Sequence, residues 1–369
     1  MKKTVATLAL VLVIALLTGC AGTPVVYYSD CTCPTGAHTE TQPAPVESTP
    51  VETTAPVEGP VAEGAVKTGL AIIAAAPESK SAGDADGEAK YDVTVAAVTV
   101  DDNGVIQSCV IDSIGTSVLF DVNGAIMSDL TAPIQTKNEL GDSYNMKLYG
   151  GAVAEWYEQA AALAAYAVGK TVEELRSGAV DETGHAADAD LATTATIYLG
   201  GYVAAIEKAV ANAQHLGAQA GDELKLAITS SVDGSKNADA ENEGLAELYT
   251  SVAAVTLSEG VITSCQIDAV QAKVSFDAVG AITTDLTVPM QTKNELGEGY
   301  GMKAWGGAIA EWNEQAASFA AYITGKTADE VASIAVDETT KPTDADLVSS
   351  VTIKIGDFQA LIAKAASGR

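Results

Sequence analysis

The strongest constraint on this chain is an internal duplication. Thr136-Lys137-Asn138-Glu139-Leu140-Gly141 returns as Thr292-Lys293-Asn294-Glu295-Leu296-Gly297, 156 residues later. The same spacing links Cys109 to Cys265, Trp156 to Trp312, Gly169-Lys170-Thr171 to Gly325-Lys326-Thr327, Asp190 to Asp346 and Thr196 to Thr352. A constant offset means that no insertion separates the copies over that span. Upstream, Val98 answers to Val255, so one residue is lost in the turn at Ser258-Glu259-Gly260. The copies run from about 67 to 216 and from about 221 to 369, with Gly217 to Glu223 as the joint. Repeats of a few dozen residues stack into solenoids. A unit of this length can enclose its own core, so the sequence predicts two tandem domains.

Within a copy, the pattern predicts strands first and helices later. Val93 to Val100 and Val105 to Asp112 alternate or run apolar around Asp102-Asn103-Gly104, a hairpin signal. Ser117 to Phe120 and Ala125 to Leu130 flank Asp121-Val122-Asn123-Gly124 and predict a second hairpin. From Ala152 to Val168 the spacing of Trp156, Leu163 and Tyr166 predicts a helix, which Gly169 ends. Thr171 with Glu174, and Thr327 with Glu330, have the spacing of a capping box, in which hydroxyl and carboxylate each take a free backbone N–H. Thr194 to Leu199 is β-branched and predicts a strand, and Tyr202 to Ala213 predicts a closing helix. The expected fold is α+β: two tandem repeats, each an antiparallel sheet with helices packed on it, after a disordered linker.

The N-terminus predicts export. Lys2 and Lys3 precede an apolar run from Val5 to Leu17, too short to span a bilayer comfortably, and the run ends in Leu17-Thr18-Gly19-Cys20. This resembles a bacterial lipobox, which implies that residues 1–19 are a lipoprotein signal peptide and that Cys20 carries the acyl chains. Residues 20–66 are rich in Pro, Thr, Glu and Val without helical or strand period, and read as the anchor and a disordered spacer. The expected location is the outer face of the cytoplasmic membrane, lipid-anchored at Cys20. Loss of Lys2 and Lys3 takes the formal charge from −29 to −31. Such a surface repels nucleic acid, which is excluded as a partner.

The usual enzyme constellations are absent from the sequence. The three histidines, His38, His185 and His215, have no counterparts in the other copy, so no histidine triad or metal centre is duplicated. Neither a nucleotide-binding glycine fingerprint nor a cysteine-rich metal motif occurs. Cys31 and Cys33 stand alone in the linker, suited to a disulfide with another chain or to chance, and Cys109 and Cys265 read as small buried strand residues. With 49 acidic residues, paired carboxylates are mostly solvated surface. An electron carrier or a binding protein fits the chain better than a stand-alone enzyme.

The tail of each copy is the most informative stretch. It reads Asp190-Leu191-Ala192-Thr193-Thr194-Ala195-Thr196 before one closing helix and Asp346-Leu347-Val348-Ser349-Ser350-Val351-Thr352 before the other. This resembles the end of the FMN-binding domain of flavin-carrying envelope proteins, a family that includes flavin-bearing components of sodium-pumping quinone reductases. That family shows Asp, two residues, Ser or Thr, Gly, Ala, then Thr or Ser. The resemblance implies FMN as cofactor, held through a phosphoester on the final hydroxyl by a dedicated transferase. Thr196 and Thr352 match that position, and Thr193 and Thr194 are neighbouring candidates. Thr136-Lys137 and Thr292-Lys293 lie where the family has a loop near the flavin.

The copies depart from the family pattern in ways that matter. The family's glycine is Thr194 in one copy and Ser350 in the other, and Val351 replaces the alanine. Copy one is therefore the better acceptor. The physical logic is coherent: an exported carrier keeps a cofactor best by a covalent link, and a helix N-terminus favours phosphate. Lys137 and Lys293 are basic residues in a very acidic chain, suited to balance phosphate or reduced flavin, while Trp156, Tyr144, Trp312 and Tyr300 suit either a ring or a core. The leading expectation is a membrane-anchored flavoprotein-like electron carrier served by a membrane electron donor. The alternative is a non-redox surface binding module, a degenerate relative without cofactor.

Overall fold

The computed structural model describes residues 64–367. The expected signal peptide, Cys20, Cys31, Cys33, His38 and the linker up to residue 63 lie outside the described residues. Val66 is already buried and bonds to Ala218, so the folded part begins slightly ahead of the expected boundary.

Each repeat is an antiparallel three-stranded sheet followed by helices. Repeat one has β1 (Lys67–Ala75), β2 (Gly87–Val100) and β3 (Ile106–Phe120). Its helices are α1 (Lys137–Leu140), α2 (Met146–Gly150), α3 (Trp156–Ala167), α4 (Val172–Gly178), α5 (Ala189–Thr194) and α6 (Gly200–Ala211). Repeat two has β4 (Glu223–Ser231), β5 (Gly244–Ser258) and β6 (Val261–Phe276). Its helices are α7 (Lys293–Leu296), α8 (Met302–Gly306), α9 (Trp312–Ile323), α10 (Ala328–Ala332) and α11 (Gly356–Ser367). The architecture is the α+β arrangement read from the sequence.

Both faces of each sheet are covered, which is why the strands run nearly continuously apolar. On β2 the period of two divides the side chains: Val93, Val95 and Ala97 face the second repeat, while Ala96, Val98 and Val100 lie under the helices of their own. On β5 Val252 and Ala254 meet the first repeat, and Ala253, Val255 and Leu257 meet α9 and α11. The two inner faces therefore build one core between them, with edge strand β1 beside β6 and β3 beside β4. Within it Phe120 and Phe276, the last residues of β3 and β6, stack at 4.0 Å with their planes 3° apart. Gly87 and Gly244 back the two rings; a Cβ on either would come within 2.3 Å of its phenylalanine.

The contacts between repeats are reciprocal. Lys208 pairs with Glu295 at 2.7 Å, and its counterpart Lys364 pairs with Glu139 at 2.8 Å. Ala82 N donates to Gly280 O at 2.7 Å and Ala238 N to Gly124 O at 2.8 Å. A contact made twice with the roles exchanged is the signature of a two-fold interface, here within one chain.

The first hairpin forms as expected, with Asp101 closing it by accepting from Asn103 N and Val105 N. Its shorter counterpart uses two left-handed residues, Glu259 (φ 50°) and Gly260 (φ 81°). Both capping boxes form, as does the α3 helix. Two expectations fail. After Asp121-Val122-Asn123-Gly124 the chain turns, but Ala125 to Leu130 forms no strand and pairs with β3 as an isolated bridge between Ile126 and Phe120. Thr194 to Leu199 is not a strand either: Asp188 caps α5, which runs through Thr194, and the amides of Thr196 and Ile197 bond to the Gln159 side chain.

Candidate ligand-binding site

The duplicated Thr-Lys-Asn-Glu stretch is a single helical turn held to the sheet. Thr136 and Glu139 close a capping box, Asn138 Nδ2 donates to Ile111 O at 2.9 Å, and Asp112 accepts from Asn138 N. This fixes Lys137 beside the first turn of α3. Its Nζ lies 5.4 Å from the Tyr144 ring centre and 5.2 Å from that of Trp156. Burial lowers the Lys137 pKa, and no carboxylate among the described residues pairs with it directly. Trp156 is packed and also hydrogen-bonded, with Nε1 donating to Tyr202 Oη at 2.9 Å. A cavity of about 290 Å³ opens here, between Lys137, Tyr144, Trp156, Tyr202 and Asp92. That is the small end of ligand pockets, room for one flat ring system.

The threonine tail reaches the rim of this cavity. Ile197, Tyr198 and Gly201 line it, and Thr196 is exposed beside them. Its position is set by Gln159, which is fully buried in α3. Gln159 Oε1 accepts from Thr196 N at 2.7 Å, Ile197 N at 3.1 Å and Thr196 Oγ1 at 3.3 Å, while Nε2 donates to Ala154 O at 2.8 Å. Gln315 repeats the arrangement with Thr352, Ile353 and Ala310. A duplicated glutamate holds the start of the short helix before α3 and α9: Glu155 accepts from Met146 N and Lys147 N, and Glu311 from Met302 N and Lys303 N.

Not every residue singled out in the sequence joins this site. Thr193 Oγ1 donates to Asp190 O and Thr194 Oγ1 to Leu191 O; Ser349 and Ser350 do the same with Asp346 O and Leu347 O. These hydroxyls are engaged by their own turn. Asp190 and Asp346 are exposed, and Asp190 does not line the cavity. Thr136 and Thr292 serve as helix caps.

The second copy is built from the same parts and closed. Tyr249 occupies the strand position of Asp92, as the sheet registers show: Asp92 faces Ala75 and Gly115, Tyr249 faces Ser231 and Gln271. Lys293, only 5% exposed, donates to Tyr249 Oη at 3.0 Å. The ring centres of Tyr249, Tyr300 and Trp312 surround its Nζ at 4.7, 4.8 and 4.8 Å. Burial lowers the Lys293 pKa to about 8, and burial likewise pushes Tyr249 up to about 12. Phe358 stands for Tyr202, and Asp357 for Gly201 at the start of the closing helix. In repeat one that helix, α6, begins with Gly200-Gly201 and has no side-chain cap, so its first amides remain available to an anion. In repeat two an acid sits there instead.

Sequence reasoning missed Asp92, Tyr202 and Gln159. The signal for Gln159 was present: a glutamine recurring at the duplication's own spacing, as Gln315, on an otherwise alanine-rich helix face. Among the described residues no group of three or more histidine, cysteine, aspartate or glutamate side chains could hold a metal ion, and no helix is long and apolar enough to cross a membrane. Comparison of the chain with protein-family models, with curated proteins and with solved structures finds no match.

Proposed function

We propose that repeat one binds FMN and that the chain acts as a membrane-tethered electron carrier outside the cell, with repeat two keeping the fold and filling its own site. One observation carries this reading. Lys137, Tyr144 and Trp156, far apart in sequence from the tail, share one cavity with Ile197 and Tyr198, the residues that follow the exposed Thr196. FMN held there would supply electron transfer, with the protein placing and tuning it. Tyr144, Trp156 and Tyr202 offer ring faces and edges. Lys137, without a directly paired carboxylate among the described residues, offers positive charge. The start of α6 offers uncapped amides to a phosphate. Thr196 offers a hydroxyl whose proton points to Gln159 and whose lone pairs remain free for a phosphoester. The electron donor would sit in the membrane, within reach of the tether, and a transferase would attach the cofactor.

The non-redox reading has its own support. The amides of Thr196 and Ile197 are bonded to Gln159 and are not available to a phosphate. The Thr196 and Thr352 hydroxyls also donate to Gln159 and Gln315, which gives the recurring threonine a structural reason. The two readings separate when full-length protein is purified from its native host, denatured on a gel and viewed under ultraviolet light. Covalent FMN gives a fluorescent band that Thr196→Ala removes and Thr352→Ala keeps. Yellow protein with a dark band means FMN without the bond. Colourless protein with a dark band refutes the flavin reading.

A further inference from the structure

A larger cavity, of about 430 Å³, lies where the repeats meet and has no part in the site beside Lys137. Its walls come from β6, α7 and α9 on one side, and from β1, the end of α6 and the joint on the other. Leu70, Leu216, Ala317, Ala320 and Ala321 give it an apolar floor. Gln266, Asn313 and Asp268 line it as well. The side-chain oxygens of Gln266 and Asn313 are buried and find no hydrogen-bond partner among the described residues. Native folds leave few such oxygens unpaired, and each one calls for an explanation.

The duplication supplies a control within the same chain. The positions equivalent to Gln266 and Asn313 are Val110 and Tyr157, which line a hollow of about 340 Å³ in repeat one, and Val110 also borders a cavity of about 600 Å³ between the repeats. The fold thus does not need amides at these two places.

The chemistry of the walls selects the guest. No Lys, Arg or His lines the cavity among the described residues, and Glu295, though present, is already paired with Lys208. Asp268 is 6% exposed, burial pushes its carboxyl up to about 6, and its Oδ1 accepts from Ala269 N at 2.7 Å and Asn294 N at 3.0 Å. An anion is therefore repelled. Two acceptor oxygens ask for N–H donors, the carboxylate asks for positive charge, and the floor asks for methylene groups. We infer that this inter-repeat cavity binds a small aliphatic amine in its ammonium form, with Gln266, Asn313 and Asp268 receiving the charged end. Both oxygens lie against protein rather than on the cavity surface, and turning the soft amide torsions exchanges each with its NH2 group and presents it to the guest.

The test is calorimetric titration of full-length protein with 1,4-diaminobutane at about pH 7.5 and roughly 0.15 M salt, which screens the acidic surface. The uncharged 1,4-butanediol is the control. The double variant Gln266→Val, Asn313→Tyr installs the residues of repeat one and leaves net charge unchanged. The expected result is saturable binding of the diamine, at least about tenfold weaker for the diol and for the double variant. Without guest, the double variant should also melt at a higher temperature than wild type, since two unpaired oxygens are gone; that measurement establishes that it is folded. Single Gln266→Val provides the same comparison should the double variant fail to fold. No saturable diamine binding overturns the inference, and so does equal binding by the diol or by folded variants. Flavin content does not enter these readouts, so either proposal can fail without the other.

Discussion

Replacing Phe120 by alanine should destabilise both repeats together. Phe120 is fully buried and stacked on Phe276 at 4.0 Å, in the core that the two sheets share. Truncating a buried phenylalanine costs about 3–5 kcal/mol, and a lost ring pair adds about 0.5–1.5 kcal/mol. The expected loss is thus about 4–6 kcal/mol, a large part of the stability of most domains. Both sheets line the resulting hole, so both should lose stability. The assay is urea unfolding followed by tryptophan fluorescence. In a Trp305→Phe background, Trp312→Phe leaves Trp156 to report on repeat one, and Trp156→Phe leaves Trp312 to report on repeat two. Each reporter is compared with and without Phe120→Ala. A shared core moves both midpoints by the same free energy in a single transition. A Trp312 midpoint that stays put while the Trp156 midpoint falls would refute the reasoning and restore two independent domains.

Other substitutions probe the sites. Gln159→Leu strands two backbone amides and the Ala154 carbonyl, at about 1–3 kcal/mol each, and Gln315→Leu should cost the same in thermal unfolding; unequal losses would show that the matching geometry is not matched in energy. Thr196→Ala should cost under about 1 kcal/mol, because its amide makes the shorter bond, so flavin lost in that variant is not lost through unfolding. Lys293 has its pKa lowered from the ordinary 10.5 to about 8, so the unfolded chain holds more protons between those values and stability rises with pH across that window. Lys293→Leu should remove the rise and stabilise the protein at neutral pH by up to about 3 kcal/mol, less whatever the three ring faces return to the cation; a pH profile unchanged by the substitution would sink this. Asp92→Tyr should abolish FMN retention in repeat one, whereas Tyr249→Asp with Asp357→Gly should open a second site, raising the FMN stoichiometry read by fluorescence titration.

The parts of the fold that follow from local chemistry were legible in the sequence. Thr171 with Glu174 announces a helix start by spacing alone, and Asp102-Asn103-Gly104 announces a turn. The duplication was legible because identical strings keep their distance. What failed depended on remote partners. Thr194 to Leu199 has the composition of a strand, but Asp188 winds its start into a helix and Gln159 takes the amides that a ladder would need. The shared core was written in β2, whose run from Val93 to Val100 is apolar on both faces, yet a run of that kind does not say whether its second cover is a helix or another sheet. For the candidate site, Lys137, Tyr144, Trp156 and Thr196 could be named from the sequence. Asp92 could not, because a single charge on a strand has no spacing to betray it; only its opposite number, Tyr249, shows what that position controls.

The reciprocal pairs Lys208 with Glu295 and Lys364 with Glu139 show that this chain holds, in one polypeptide, what two identical chains would otherwise assemble. In a homodimer one codon writes both sites, so a substitution that plugs one plugs the other. Fusion gives each half its own text. Position 92 can stay aspartate while position 249 becomes tyrosine, and the plugged half still completes the core of the open one. Symmetry in the scaffold thereby permits inequality in the sites, and the half relieved of one duty is free to acquire another.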